Sequence, residues 1–201
     1  MKKILFIALA AIMSVGASAQ EISTKAPSQK IHYVNAAIGF LNLSGDAAKG
    51  TNSTIGFDVY WGYEKPLGYG IWWGQEIGIG TSRGCDFGVP GTDSYFRTYS
   101  IRYTPANFGY RYRINHAWAV EGHVGVGVSF DFAGSQVFGP ASTSIWDVND
   151  YRPLDVTLKL GAGFTYKHFG FDISWQKGFV NYIKDANASA SNVFLGVRFV
   201  Y

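Results

Sequence analysis

The sequence predicts an all-β fold, an eight-stranded antiparallel up-and-down transmembrane β-barrel. Three observations carry that expectation. First, Ser191–Tyr201 alternates: Val193, Leu195, Val197, Phe199 and Tyr201 form one apolar face, and the other is mixed, with Asn192, Gly196 and the charge of Arg198 beside Phe194 and Val200. Period-two alternation puts successive side chains on opposite faces, so such a strand divides lipid from a polar lumen. Second, seven further segments alternate in the same way, and their connections are in turn short and long. Third, aromatic residues gather where the connections are short, as in the girdle of a barrel at a membrane interface.

The N-terminus fits an exported protein. Lys2 and Lys3 precede the apolar run Ile4 to Met13, and Ala17-Ser18-Ala19 is a small-x-small cleavage site. Residues 1–19 therefore read as a secretory signal peptide cleaved after Ala19. Residues 20–30 are expected to be a short periplasmic segment, and residues 31–201 the barrel of a bacterial outer membrane. No other segment has the ~20 consecutive apolar residues of a membrane-spanning helix.

Composition narrows the function. The 17 Lys and Arg include Lys2 and Lys3, leaving 15 basic against 14 acidic side chains after cleavage. A nearly neutral chain offers no electrostatic footing for nucleic acid. The single cysteine, Cys85, excludes an internal disulfide. Aromatics at 17% favour pleated surfaces, and 25 glycines suit bends and a crowded lumen.

The strands are read in order. Ile31–Leu43 places Val34, Ala36, Ile38 and Phe40 on one face. Thr54–Glu64 sets Ile55, Phe57, Val59, Trp61 and Tyr63 against Gly56, Asp58, Tyr60, Gly62 and Glu64. Ile71–Ser82 sets Trp73, Ile77 and Ile79 against Gly74, Glu76, Gly78 and Gly80. In Tyr95–Arg113 the apolar parity flips from Tyr99, Ile101 and Tyr103 to Phe108, Tyr110 and Tyr112. Pro105 lies at the flip, where a residue unable to donate to the ladder predicts a bulge.

Trp118–Phe132 is the most regular: Val120, Val124, Val126, Val128, Phe130 and Phe132 oppose Glu121, His123, Gly125, Gly127, Ser129 and Asp131. Arg152–Tyr166 sets Leu154, Val156, Leu158, Leu160, Phe164 and Tyr166 against Asp155, Thr157, Lys159, Gly161 and Gly163. Phe169–Asn181 sets Phe169, Phe171, Ile173 and Trp175 against Asp172, Ser174 and Gln176. Ser191–Tyr201 closes the set.

Connections 65–70, 114–117 and 167–168 are short, whereas 44–53, 83–94, 133–151 and 180–190 are long and rich in Gly, Ser, Asp and Asn. Counted from a periplasmic N-terminus, every short connection is periplasmic. A soluble lipocalin-like or sandwich protein would turn the apolar faces inward and show water the opposite faces. Those faces are rich in Gly and poor in Lys and Glu, which a solvated surface does not favour.

The signal peptide, the amphipathic strands, the stretch Tyr103-Thr104-Pro105-Ala106-Asn107-Phe108-Gly109-Tyr110-Arg111-Tyr112 and the aromatic C-terminus resemble the outer-membrane β-barrel domain family. That family includes OmpA/OmpX-type small barrels and PorT-like porin-family proteins of Bacteroidetes. The proline-containing fourth strand and Trp175-Gln176-Lys177-Gly178-Phe179-Val180-Asn181 look most like the PorT-like branch. The resemblance implies architecture and carries no catalytic motif.

The lumen-facing parity collects Asp58, Glu76, Arg102, Arg111, Glu121, His123, Lys159, Asp172 and Arg198, together with Glu64, Asp131 and Asp155. Charges in a narrow interior must pair. The expected result is a structural charge network that plugs the barrel, with Glu76, Glu121, Arg111 and Arg198 joined near the short turns; the alternative is a gated polar path. His123 and Asp131, eight positions apart on one strand at ~3.3 Å per residue, cannot form a dyad. No enzyme, cofactor or metal site is expected: four histidines and one cysteine show no ligand spacing. Cys85 is expected in a loop. Phe87, Phe138, Ile145 and Trp146 in the long loops either pack on one another or form a binding surface.

The expected role is structural or interaction-based, with at most limited passage of small solutes. A porin, a secretion-linked component and a lipid-modifying enzyme are the alternatives. Expected partners are outer-membrane lipid and, through the C-terminal strand, the barrel-assembly machinery.

Overall fold

The structure is a computed structural model that describes residues 30–201. The expected signal peptide and nearly all of the segment 20–30 lie outside the described residues. Eight long strands follow one another: β1 (Ile31–Leu41), β2 (Thr54–Gly68), β3 (Ile71–Asp86), β4 (Ser94–Arg113), β5 (Trp118–Phe138), β6 (Leu154–Tyr166), β7 (Phe169–Gly178) and β8 (Ser189–Val200). Each pairs antiparallel with its sequence neighbours. β8 returns to β1, from Tyr33 opposite Val200 to Phe40 opposite Val193, and closes the barrel. Past that ladder, His32 and Tyr201 exchange backbone hydrogen bonds of 2.9 and 3.3 Å. Closure leaves no open edge.

The turns show why the chain reverses where it does. Tyr69 (φ 55°) and Gly70 (φ 79°) join β2 to β3, both in the left-handed region that a tight type I′ hairpin requires. Between β4 and β5, the Asn115 side-chain oxygen accepts the N–H groups of Ala117 (2.8 Å) and Trp118 (2.9 Å). This Asx turn supplies the bonds that the ladder no longer provides.

The polarity is inverted relative to a soluble protein. Ile38 and Ile55 are 67% exposed and Leu195 60%, while Arg83 is fully buried and Glu64 and Asp131 are each 1% exposed. A continuous apolar belt of this kind demands lipid outside. With eight strands the interior is just wide enough for side chains to fill.

Several boundaries differ from the sequence expectation. β2, β3 and β5 run on to Gly68, Asp86 and Phe138, because the residues beyond the expected ends still pair through their backbones with the neighbouring strand. A short strand, Ala141–Ser144, folds back on Ser135–Phe138 within what was expected to be an irregular loop. β7 stops at Gly178 rather than Asn181. There the Asp155 carboxylate accepts the N–H groups of Phe179 (3.1 Å) and Val180 (2.9 Å) and draws the chain off the ladder. Cys85 lies not in a loop but in β3, buried against Phe96 and Ile145.

The bulge expected at Pro105 is present as a register break between Tyr103 and Ala106, so Thr104 and Asn107 both face inward across it. Further register breaks, between Pro66 and Gly68, Gly74 and Glu76, Thr81 and Gly84, and Tyr99 and Ser100, are not foreseen by the alternation.

Candidate functional site

The lumen is filled by charged side chains in stacked layers. Nearest the short turns, Arg111 of β4 reaches Glu64 of β2 (2.7 Å) and Glu121 of β5 (2.5 Å). Arg198 of β8 reaches the same two carboxylates, Glu64 at 2.9 Å and Glu121 at 2.6 Å. Four ions from four strands thus form a closed ring of alternating sign. The planar guanidinium fork suits such two-sided pairing. The expected set differs in one member: Glu64, not Glu76, completes the ring. Strand stagger decides the depth at which a residue meets the opposite wall, and alternation does not reveal it.

Glu76 lies one layer further in. It pairs with Lys159 of β6 at 2.8 Å and accepts from the Tyr33 hydroxyl (2.7 Å) and the Asn107 amide (2.9 Å). Lys159 also sits 4.0 Å above the centre of the Tyr60 ring. Beside this pair, Arg102 of β4 binds Asp58 of β2 at 2.7 Å. Gln176 of β7 bridges them, accepting from Arg102 (2.6 Å) and donating to Asp58 (3.2 Å). Asp172 meets no cation within salt-bridge distance among the described residues; the Asn35 amide donates to it at 2.6 Å.

His123 is buried between the Trp72 ring, 6.2 Å away, and the backbone of Gly161, where a side chain would collide with the imidazole. Neither of its ring nitrogens has a protein partner. Nothing orients it as a catalytic base, and Asp131 belongs to a different layer.

The layer nearest the long loops centres on Arg83, which the sequence reading placed in a loop. It pairs with Asp131 (2.9 Å) and Asp155 (3.5 Å) and donates to the backbone oxygen of Arg152 (2.6 Å). Ser82 donates to the second Asp131 oxygen at 2.5 Å, and the Tyr151 hydroxyl also binds Asp131. The β3 bulge turns Ser82 and Arg83 inward in succession, so strict alternation hides Arg83.

Two small cavities lie between the layers. One of about 20 Å³ is lined by Asp58, Tyr60, Glu76 and Lys159, and one of about 10 Å³ by Ser82, Ser129, Asp155 and Asn192. Each has room for about one water. Arg102, Thr157 and Gln176 border both, so the Arg102–Gln176 contact is the partition between them.

At the long-loop end, Phe87 stacks on Phe138, the last residue of β5, with ring centres 4.8 Å apart, and Ile145 is fully buried. Trp146 stays 54% exposed. Among the described residues, no cluster of His, Cys, Asp and Glu has the geometry to hold a metal ion.

Residues 7–199 match the family described as outer membrane protein beta-barrel domain. No curated protein sequence matches the chain. Among solved structures, it is similar to Neisserial surface protein A at 16% identity and a TM-score of 0.51, over 85% of this chain and 97% of that one. It is similar to the outer membrane enzyme PagL at 13% identity and a TM-score of 0.53, over 83% of this chain and 98% of that one. The attachment invasion locus protein Ail of Yersinia pestis gives 19% identity and a TM-score of 0.47, over 86% of this chain and 99% of that one. At such identities the likeness to Neisserial surface protein A and to PagL concerns the fold alone.

Proposed function

Because the chain belongs to the outer membrane protein beta-barrel domain family, we propose that it is a sealed small barrel of the bacterial outer membrane with a structural or interaction role. In this reading residues 1–19 direct export and are removed after Ala19. The short turns face the periplasm, and the long loops face outward. The C-terminal strand presents the chain to the barrel-assembly machinery.

One observation carries the proposal: paired charges cross the lumen in each of the layers described, and the cavities of about 10 and 20 Å³ between them have room for about one water each. Breaking a buried pair leaves an unpaired charge that costs several kcal/mol, so the layers hold one another in place. The test is conductance of the purified protein in planar bilayers. The expected result is a quiet membrane under voltage, and large, stable single-channel steps would remove the sealed reading.

A second reading is favoured by the Arg102–Gln176 partition. If that single contact swings aside, the two cavities join, and the barrel becomes a narrow gated path. Brief, small openings in the same recordings would mark it.

A further inference from the structure

The outward face carries a polar row at the upper limit of the apolar belt, where β7, β8 and the extension of β1 meet. Ser44 pairs with Ser189 and Ser191 with Lys177 across the sheet. One step down, Phe40, Val193 and Trp175 belong to the belt, and the Trp175 indole donates to Ser191 at 3.1 Å. The row therefore lies at headgroup level, with apolar surface directly beneath it.

Lys177 is the cation of this row. A lysine that merely snorkels extends to water. Lys177 instead turns along the surface: its ammonium donates to the Ser189 hydroxyl at 2.9 Å and to the Ser44 hydroxyl. No carboxylate lies within 4.0 Å of it among the described residues, and the nearby Asp46 is taken by Lys49 at 2.8 Å. Two of the three N–H bonds are spent on fixing the group in place. The third has no partner among the described residues, and the Ser189 hydroxyl can turn its proton outward beside it. A fixed ammonium with no carboxylate in contact, flanked by hydroxyls, suits a phosphate oxygen.

We propose that Lys177, Ser44 and Ser189 bind the phosphate headgroup of a membrane lipid whose acyl chain lies along the belt below. The apolar surface supports a lipid rather than a free anion: Ile173 (51% exposed), Leu195 (60%) and Ile38 (67%) continue downward from the row. The side of the membrane on which the lipid resides rests on the orientation proposed above; the site itself does not.

The test is native mass spectrometry of the mature protein in non-ionic detergent, with three probes. Dimyristoyl phosphatidate has phosphate and chains, dimyristoylglycerol has chains alone, and glycerol 3-phosphate has phosphate alone. The expected result is a retained one-to-one adduct with phosphatidate only. Lys177→Gln should weaken that adduct about tenfold, as for the loss of one charge-assisted contact. The double variant Ser44→Ala, Ser189→Ala should weaken it with the lysine intact, and Lys167→Gln at the opposite end should not. Heat-modifiable gel mobility verifies that each variant has folded, and its failure in the unaltered protein would instead count against the barrel reading. Equal retention of dimyristoylglycerol, equal retention of glycerol phosphate, or an unchanged adduct in Lys177→Gln would each overturn the site.

Discussion

Arg111 and Arg198 divide between them the oxygens of the same two carboxylates. Arg111 holds one oxygen of Glu64 and one of Glu121, and Arg198 holds the other oxygen of each. The ring links β2, β4, β5 and β8 through the middle of the barrel, where no backbone bond can reach. It acts as a cross-brace, and its members are interdependent.

Glu64→Gln should therefore destabilise by more than a surface charge does. Both arginines would then share the single negative charge of Glu121, leaving one buried positive charge uncompensated. The expected loss is about 3–5 kcal/mol, read as a lower urea midpoint for protein folded into vesicles. The double variant Glu64→Gln, Arg198→Met removes one charge of each sign and should recover part of that loss. A single variant as stable as the unaltered protein would show that the ring contributes nothing.

Arg102→Ala removes the partition between the two cavities and one lumen cation. Seven carboxylates line the interior against five cations with Arg102 present, and four without it. The variant should show small openings in planar bilayers where the unaltered protein shows none. The reversal potential in a salt gradient should have the sign of cation preference. Silent bilayers, or anion preference, would contradict both the partition and the charge account.

How much of this was legible in the sequence depends on the regularity of the ladder. In β5, Glu121, His123 and Asp131 alternate without interruption with outward valines and phenylalanines, and the structure buries all three. The break at Pro105 was visible because proline has no N–H to donate. Arg83 was not visible, since the bulge that turns it inward has no proline to announce it. Nor was the exchange of Glu64 for Glu76 in the ring: depth in a tilted barrel follows from stagger between strands, a property of the closed sheet. Lys177 shows the same limit, because its serine partners lie on other strands, more than ten and more than a hundred positions away.

The end of β8 should matter for assembly. Phe199 packs against Phe169 at 5.5 Å and Tyr201 at 6.3 Å between ring centres, and the Trp61 indole donates to the Tyr201 hydroxyl at 3.0 Å. The Trp61–Tyr201 bond spans the seam where β8 meets β1, and Phe199 ties Tyr201 to Phe169 of β7. Phe199→Ala should cost about 2 kcal/mol of stability. It should also slow folding into vesicles, measured by the appearance of the heat-modifiable band. Tyr201→Phe, which loses only the hydroxyl, should have a much smaller effect. Equal folding rates for Phe199→Ala and the unaltered protein would separate the aromatic seam from closure.

Cys85 gives an internal report on the long-loop end. It is fully buried between Phe96 and Ile145, in a cluster flanked by Leu43, Phe87, Tyr151 and Tyr182. That cluster lies where β3, β4 and the long loops meet, so a maleimide reaches the thiol only when the loops lift away. The folded protein should react far more slowly than the urea-unfolded chain, by the factor that local opening imposes. Ile145→Ala leaves a void beside the sulfur, and buried aliphatic truncations of this kind cost about 2–5 kcal/mol. Labelling of that variant should accelerate while the urea midpoint of the whole barrel moves less. Rapid labelling of the unaltered protein in its folded state would mean that the loops do not cover the barrel mouth.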